Sequence, residues 1–245
     1  MPLTLSLNTN PLVNRFAEPG DLVLWENLWD ARSLGLTTQT STPYAFAEIN
    51  VKDEPAIVEV PAGRLVGAED DAFFRWVTDL GLTGPNQGRG GKYVFVGPDH
   101  TGELPDGYQV VKTPTYRNWM FLRAIVQDGD LKAALEPLRT GFRIYPLSKL
   151  DNPPKGRVVE VSGKKFNTIH ANDVTFYDEI DQVIQRHEIK LSDVGLPNQQ
   201  RFQLGSGELR AVSGFRGVVF TGQPDHRVGS GPRGTLFRRG YDCGN

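Results

Sequence analysis

The chain has 245 residues, a formal net charge of −2, 38% hydrophobic and 23% charged residues. That length holds one large or two small domains with a real core, and the near-neutral balance gives no global pull toward nucleic acid or anionic membrane. Cys243 is the only cysteine, which excludes an intramolecular disulfide and a Cys-rich zinc site. No run reaches the roughly 18–20 apolar residues that span a bilayer. The opening Met1-Pro2-Leu3-Thr4-Leu5-Ser6-Leu7 lacks the basic and sustained apolar regions of a secretory signal.

Seventeen Pro and 27 Gly favour many turns and short strands over a helical bundle. Residues 1–40 read as a lead-in, truncated at its start, with one short strand at Leu22-Val23-Leu24-Trp25. From Pro43 the text becomes β-like. Residues 44–49 and 56–60 are short, rich in β-branched or aromatic residues and bounded by turn formers. Residues 70–80 fit both a helical and an alternating pattern, and their aromatic and β-branched content favours a strand. Glu69, Asp70 and Asp71, like Asp53 and Glu54, read as solvated turn residues.

A Gly-rich turn from Thr83 to Gly91 leads into a strand at 92–96. Strands at 108–112 and 119–126 follow. Asp130 is the expected N-cap of a short helix from Leu131, limited by Pro137. Residues 143–145 and 157–161 return to β character, and the strand spacing predicts a sandwich rather than βαβ units. A helix is expected over about 171–185, with Phe176, Ile180, Val183 and Ile184 on its apolar face and acid near its start. Past about 188 the periodicity fades, with a possible strand at 217–220. Residues 190–245 carry eight Lys and Arg against four Asp and Glu, seven of the eight being Arg, with 11 Gly. This Gly/Arg-rich tail, 189–245, reads as disordered or as non-native text from a shifted frame.

Few constellations point to chemistry. The loop Gly84 to Lys92 invites a phosphate-binding reading, but a P-loop opens a helix and this one opens a strand. His100 follows Asp99 in a turn that could present a general base. The densest stretch is Phe166 to Glu179. There His170 and Asp173, three apart, would share a face on a first helical turn and, with Asn172, could hold a metal or polarise a substrate. The competing reading makes Asn172 or Asp173 a helix cap. His170, Asp173 and His100 are therefore the catalytic candidates. Asn172, Tyr177 and Arg117 are the ligand-binding candidates. No metal site and no cofactor are expected, because no third or fourth ligand is evident. Nucleic-acid binding is not expected, since the Arg-rich tail carries few stacking aromatics.

Several blocks fall together in order: Thr42-Pro43-Tyr44-Ala45-Phe46, Ala56 to Pro61, Asp79 to Pro85, Gly90 to Val94, Pro105 to Tyr108, Pro114 to Trp119, Arg143 to Leu147, and Phe166 to Asp173. With them, residues from about Trp29 to His187 resemble the bacterial domain-of-unknown-function family 1254. The resemblance implies an immunoglobulin-like β-sandwich over about 40–150, then a linker strand and small helical segment to 188. It implies a periplasmic or secreted setting and a following family 1214 domain, which is missing here. It carries no established reaction. The expectation is a mainly β protein acting as a non-catalytic ligand- or partner-binding module, its partner a small ligand or a protein, with an oligomer open. The alternatives are a metal-assisted hydrolase-like enzyme near His170 and Asp173, or a truncated fragment without independent function.

Overall fold

Short alternating segments become strands in the computed structural model, in chain order β1 (Leu22–Leu24), β2 (Ser33–Leu34), β3 (Tyr44–Asn50), β4 (Ala56–Val60) and β5 (Leu65–Asp70). They continue as β6 (Trp76–Gly81), β7 (Gly91–Val96), β8 (Gln109–Lys112) and β9 (Arg117–Ala124). Helix α1 (Leu131–Gly141) precedes β10 (Arg143–Pro146), β11 (Val158–Glu160) and β12 (Phe166–Asn167). The structure describes residues 16–31, 33–34, 39–167 and 171–178, together with β13 (Leu209–Arg210) and β14 (Val219–Phe220). His170, the expected helix beyond Asp178 and most of the Gly/Arg-rich tail lie outside the described residues.

The chain divides into the units Met1–Val194 and Gly195–Asn245. In the second, Leu209–Arg210 pairs antiparallel with Val219–Phe220. In the first, ten strands form two sheets, β11-β1-β3-β9-β5-β6 and β10-β4-β7-β8. The fold is mainly β, as the strand spacing predicts. Most pairs are antiparallel, while β1–β11, β7–β8 and the separate pair β2–β12 are parallel.

The two sheets face each other across one core. Strand β9 shows how the two-residue period builds it. Met120, Leu122 and Ala124 point into the core beside Ala45, Ala47 and Ile49 of β3, and across from Val58, Tyr93 and Phe95 of β4 and β7. The intervening Trp119 packs outward with Phe46, Trp25 and Trp29, so the larger sheet is covered on its outer face as well. Ile57, Val94, Val96 and Tyr145 form a third cluster on the outer face of the smaller sheet. Burial on both faces explains why β3 and β4 are buried almost throughout rather than half-exposed. Gly67 is required for close strand approach, because a Cβ there would lie 2.0 Å from the Phe121 carbonyl oxygen.

Helix α1 begins as expected, the Asp130 carboxylate accepting a hydrogen bond from Ala133 N at 2.9 Å. It does not stop at Pro137 but runs to Gly141. A mid-helix proline loses one backbone bond; here Leu135 and Leu138, both buried in the core, hold the helix on either side of it. The missing Cβ of Gly63 makes room for the proline ring, which would otherwise be met at 3.2 Å.

The larger correction concerns Glu69, Asp70 and Asp71. They are not solvated turn residues: β5 runs from Leu65 to Asp70 between β9 and β6, and all three acids are buried. Strand pairing on both sides overrides their low β propensity. Glu69 is fully buried and neither carboxylate oxygen has a hydrogen-bond partner among the described residues. Burial, reinforced by Asp70 and Asp71, pushes its carboxyl well above the usual range, which favours the neutral form inside the protein.

Below the ordinary glutamate pKa both folded and unfolded chains hold this proton. Above it the unfolded chain releases the proton and the folded chain keeps it, so stability falls as pH rises through that window. Replacement by an apolar residue of similar shape, Glu69→Met, is predicted to stabilise the protein by about 1–3 kcal/mol at pH 7.5, with a smaller gain at pH 4. Urea unfolding at the two pH values checks this; a loss of stability at both would contradict the buried, unpartnered carboxyl.

Candidate functional site

The β5–β6 connection is a tight turn, Asp71 to Arg75, organised by one buried carboxylate. Asp71 Oδ1 accepts from Phe73 N at 2.8 Å and from Arg75 N at 2.9 Å, and Oδ2 accepts from Arg75 Nε at 2.6 Å. The backbone closes with Phe74 N donating to Asp71 O and Asp71 N donating to Arg75 O. Thr115 Oγ1 accepts from Ala72 N at 3.0 Å. So constrained, Phe74 sits at φ 60, in the left-handed region that is uncommon for a bulky residue. The expected single strand over 70–80 is thus broken by this turn, and only Trp76–Gly81 continues as β6.

The turn aims consecutive rings in opposite directions. Phe73 is buried. Phe74 lies flat on Trp119 of β9, ring centroids 5.2 Å apart and planes at 6°, and remains 42% exposed. Trp76 is 65% exposed, and its Nε1 donates to Asp79 Oδ1 at 3.2 Å. Register places Asp70 opposite both Trp119 and Trp76, and Asp79 opposite Ala68. Alternation sets Asp70, Asp79 and Trp119 on the outer face of the larger sheet, and the register shift between Glu69 and Asp70 offsets the start of β6, so that Trp76 pairs with Asp70 and reaches Asp79 on that same side.

Charge on this face is unevenly compensated. Glu48, opposite Trp119 on β3, has a fully buried side chain that accepts from Arg117 Nη1 at 2.7 Å. Arg75 is held by Asp71. Asp70 is 7% exposed and has no ion pair among the described residues. Burial, then Asp71 and Asp79, push its carboxyl up to about 6. The face thus presents exposed aromatic rings beside two carboxylates that no basic group among the described residues neutralises.

An open cleft of about 460 Å³ lies elsewhere, lined by Glu59, Asn86, Gly90, Gly91, Lys92 and Gly141 among others. It includes the Gly-rich loop, whose amides turn inward: Gln87 N donates to Gly84 O, Gly88 N to Gly81 O and Arg89 N to Asn86 O. That leaves no cradle of those amides for a phosphate. Gly91 is fixed by Asn86, whose Nδ2 would lie 1.9 Å from an added Cβ. Glu59 is already paired with Arg143 and accepts from Tyr145 OH at 2.8 Å.

The residues singled out from sequence fall in three places. Arg117 stands on the aromatic face, paired with Glu48. His100 sits in the turn after β7, its ring against Gly102 and its Nε2 buried without a hydrogen-bond partner among the described residues. The neighbouring Asp99 accepts from Tyr116 OH at 2.5 Å. Asp173 accepts from Thr175 N at 2.9 Å and Thr175 Oγ1 at 2.6 Å, and these hydrogen bonds hold its carboxyl below the usual range. That is an Asx turn ahead of the helical turn 176–178. Asn172 and Tyr177 are exposed. His170 lies outside the described residues. No cluster of three or more His, Cys, Asp or Glu among the described residues is placed to hold a metal ion. Asp70, Phe74, Trp76 and Asp79 were not singled out from sequence. A signal existed, because Asp70 and Trp76 flank an Asp-x-x-x-Arg turn, but one sequence does not show that β5 and β9 bring them together.

Fold and site define a mixed two-sheet β-sandwich with an acidic, aromatic outer face. The chain belongs to the family described as Protein of unknown function (DUF1254), which matches residues 19–146, just over half of its length. Among solved structures, the VPA0106 protein from Vibrio parahaemolyticus superposes with a TM-score of 0.51 at 17% identity, over 74% of this chain and 43% of that one. The likeness is one of fold. An uncharacterized protein from Burkholderia cenocepacia aligns with a TM-score of 0.34 at 12% identity, over 62% of this chain and 42% of that one, too distant to carry an argument. Among curated proteins, a D-erythrulose 1-phosphate 3-epimerase of Brucella abortus (strain 2308) is 87% identical over 23 residues, 9% of this chain and 7% of its own length. So short a stretch brings no activity with it. The chain spans less than half of each of these proteins. No helix among the described residues is long and apolar enough to cross a membrane.

If Asp71 builds the turn, Asp71→Ala should remove its acceptor from two amides and one guanidinium, destabilising the protein by about 3 kcal/mol. It should also release Phe74 from Trp119. Urea unfolding and near-UV circular dichroism check both; an unchanged aromatic spectrum would show that the stack does not depend on Asp71.

Proposed function

We propose that the sandwich is a non-catalytic ligand-binding module of an exported or envelope protein, and that its ligand is taken on the Phe74–Trp76 face of the larger sheet. The observation that supports this most is the pair of exposed rings. A folded domain has little reason to expose two large aromatic side chains two residues apart, still less to hold one at positive φ, where strain of order 1–3 kcal/mol is retained only if the surroundings enforce it. Asp71 and Thr115 supply that enforcement. The turn is rigid before any ligand arrives, which lowers the ordering cost of binding. The other reading, a metal-assisted hydrolase-like site near His170 and Asp173, gains no support from Asp173, whose carboxylate is committed to Thr175. A periplasmic or secreted setting accompanies the binding reading.

A thermal-shift panel of neutral sugars, alkylammonium salts, carboxylates and short alcohols tests it, run on the natural protein and on a Phe74→Asn/Trp76→Ser variant. Asn tolerates the positive φ at position 74. At least one class is expected to raise the unfolding midpoint of the natural protein by mass action and to leave the variant unmoved. If no class does so, the face is not a binding surface.

A further inference from the structure

We propose that the group recognised on this face is a cation, carried by a small alkylammonium compound that sits against Phe74 and Trp76 and is neutralised by Asp70 and Asp79. The proposal rests on the binding reading above and names the ligand class for the same face.

The protein itself shows the arrangement one residue away. Asp71 and Phe73 hold a guanidinium between them: Arg75 Nε lies 2.6 Å from Asp71 Oδ2, and Arg75 Cζ lies 4.9 Å from the Phe73 ring centroid. A carboxylate and an aromatic face together attract a cation, the first by charge and the second through its ring quadrupole. Asp70, Asp79, Phe74 and Trp76 repeat that combination of groups on the outer face with no cation in place among the described residues. Arg75 and Arg117 are the basic groups nearest in sequence and register, and they are engaged by Asp71 and Glu48. Every influence resolved on Asp70 opposes its charge: burial, Asp71 and Asp79. An alkylammonium ion would reverse that balance. A neutral sugar could stack on the rings but would leave the charges uncompensated, and an anion would be repelled.

Size favours a small compound over a protein. The other end of the same outer face is occupied by Trp25, Trp29, Tyr44 and Phe46, packed ring against ring. Among the described residues the exposed rings of this face are Phe74 and Trp76, a small target beside the roughly 800 Å² per partner of a standard protein interface.

The test follows indole emission of the full chain during titration with tetramethylammonium chloride. The controls are the neutral isostere 2,2-dimethylpropane-type alcohol neopentyl alcohol and methyl glucoside. Tetramethylammonium is expected to bind, with Trp76→Ala and Asp70→Asn each weakening it by about tenfold, and neither control is expected to compete. Affinity should fall about tenfold from pH 7.5 to pH 5 as Asp70 takes up its proton, with Glu69, Asp71, Asp79, Arg75 and Arg117 as the other charged groups around it. Asp70→Asn should flatten that profile while retaining the native circular dichroism spectrum. Binding of a neutral control in a Trp76-dependent manner, with tetramethylammonium inert, would overturn the cation and leave the binding module standing. Tetramethylammonium binding that is indifferent to Asp70→Asn would also overturn it. No Trp76-dependent binding by any probe would remove both.

Discussion

Strand β9 is the constraint on which the rest of the larger sheet depends. It pairs over seven of its eight residues with β3 on one side and over six with β5 on the other. Its two-residue period therefore fixes which side chains of three strands face inward. A one-residue slip would bring Trp119 and Phe121 into the core and expel Met120 and Leu122. The same register that makes the core places Trp119 outward between Glu48 and Asp70. Core and candidate site are two faces of one pairing.

That pairing also explains an energetic conflict. Three successive acids occupy the end of β5 and the turn beyond, and each meets burial differently. Asp71 satisfies its carboxylate with two amides and a guanidinium. Glu69, pointing into the sandwich, has no partner among the described residues and is pushed toward its neutral form. Asp70, pointing outward, is pushed up to about 6. Stability alone does not account for such an arrangement, since unpartnered buried polar groups are unfavourable. Local violations of otherwise consistent folding rules concentrate at functional sites, and this one lies beside two exposed rings and a residue at positive φ.

Much of the fold was legible in the sequence because alternation and turn formers are local signals. Residues 44–49, 56–60 and 92–96 read as strands, and Asp130 read as a cap. Strand β5 was not legible: Val66-Gly67-Ala68-Glu69-Asp70 has weak β propensity and is a strand because β6 and β9 flank it. Pro137 misled for the matching reason, since Leu135 and Leu138 carry the helix through it. Of the candidate site, Arg117 was within reach and the acid-and-ring face was not. It is assembled from β3, β5, β6 and β9, and no spacing in a single chain reveals which strands become neighbours.

The most direct measurement uses the four tryptophans of the chain as built-in reporters. Their indole N–H resonances, assigned by single Trp→Phe variants, would be followed by heteronuclear NMR during addition of tetramethylammonium. The account predicts that the Trp76 and Trp119 signals move together with a common saturation curve, while Trp25 and Trp29, at the covered end of the same face, stay in place. Uniform movement of all four, or none at any accessible concentration, would contradict it.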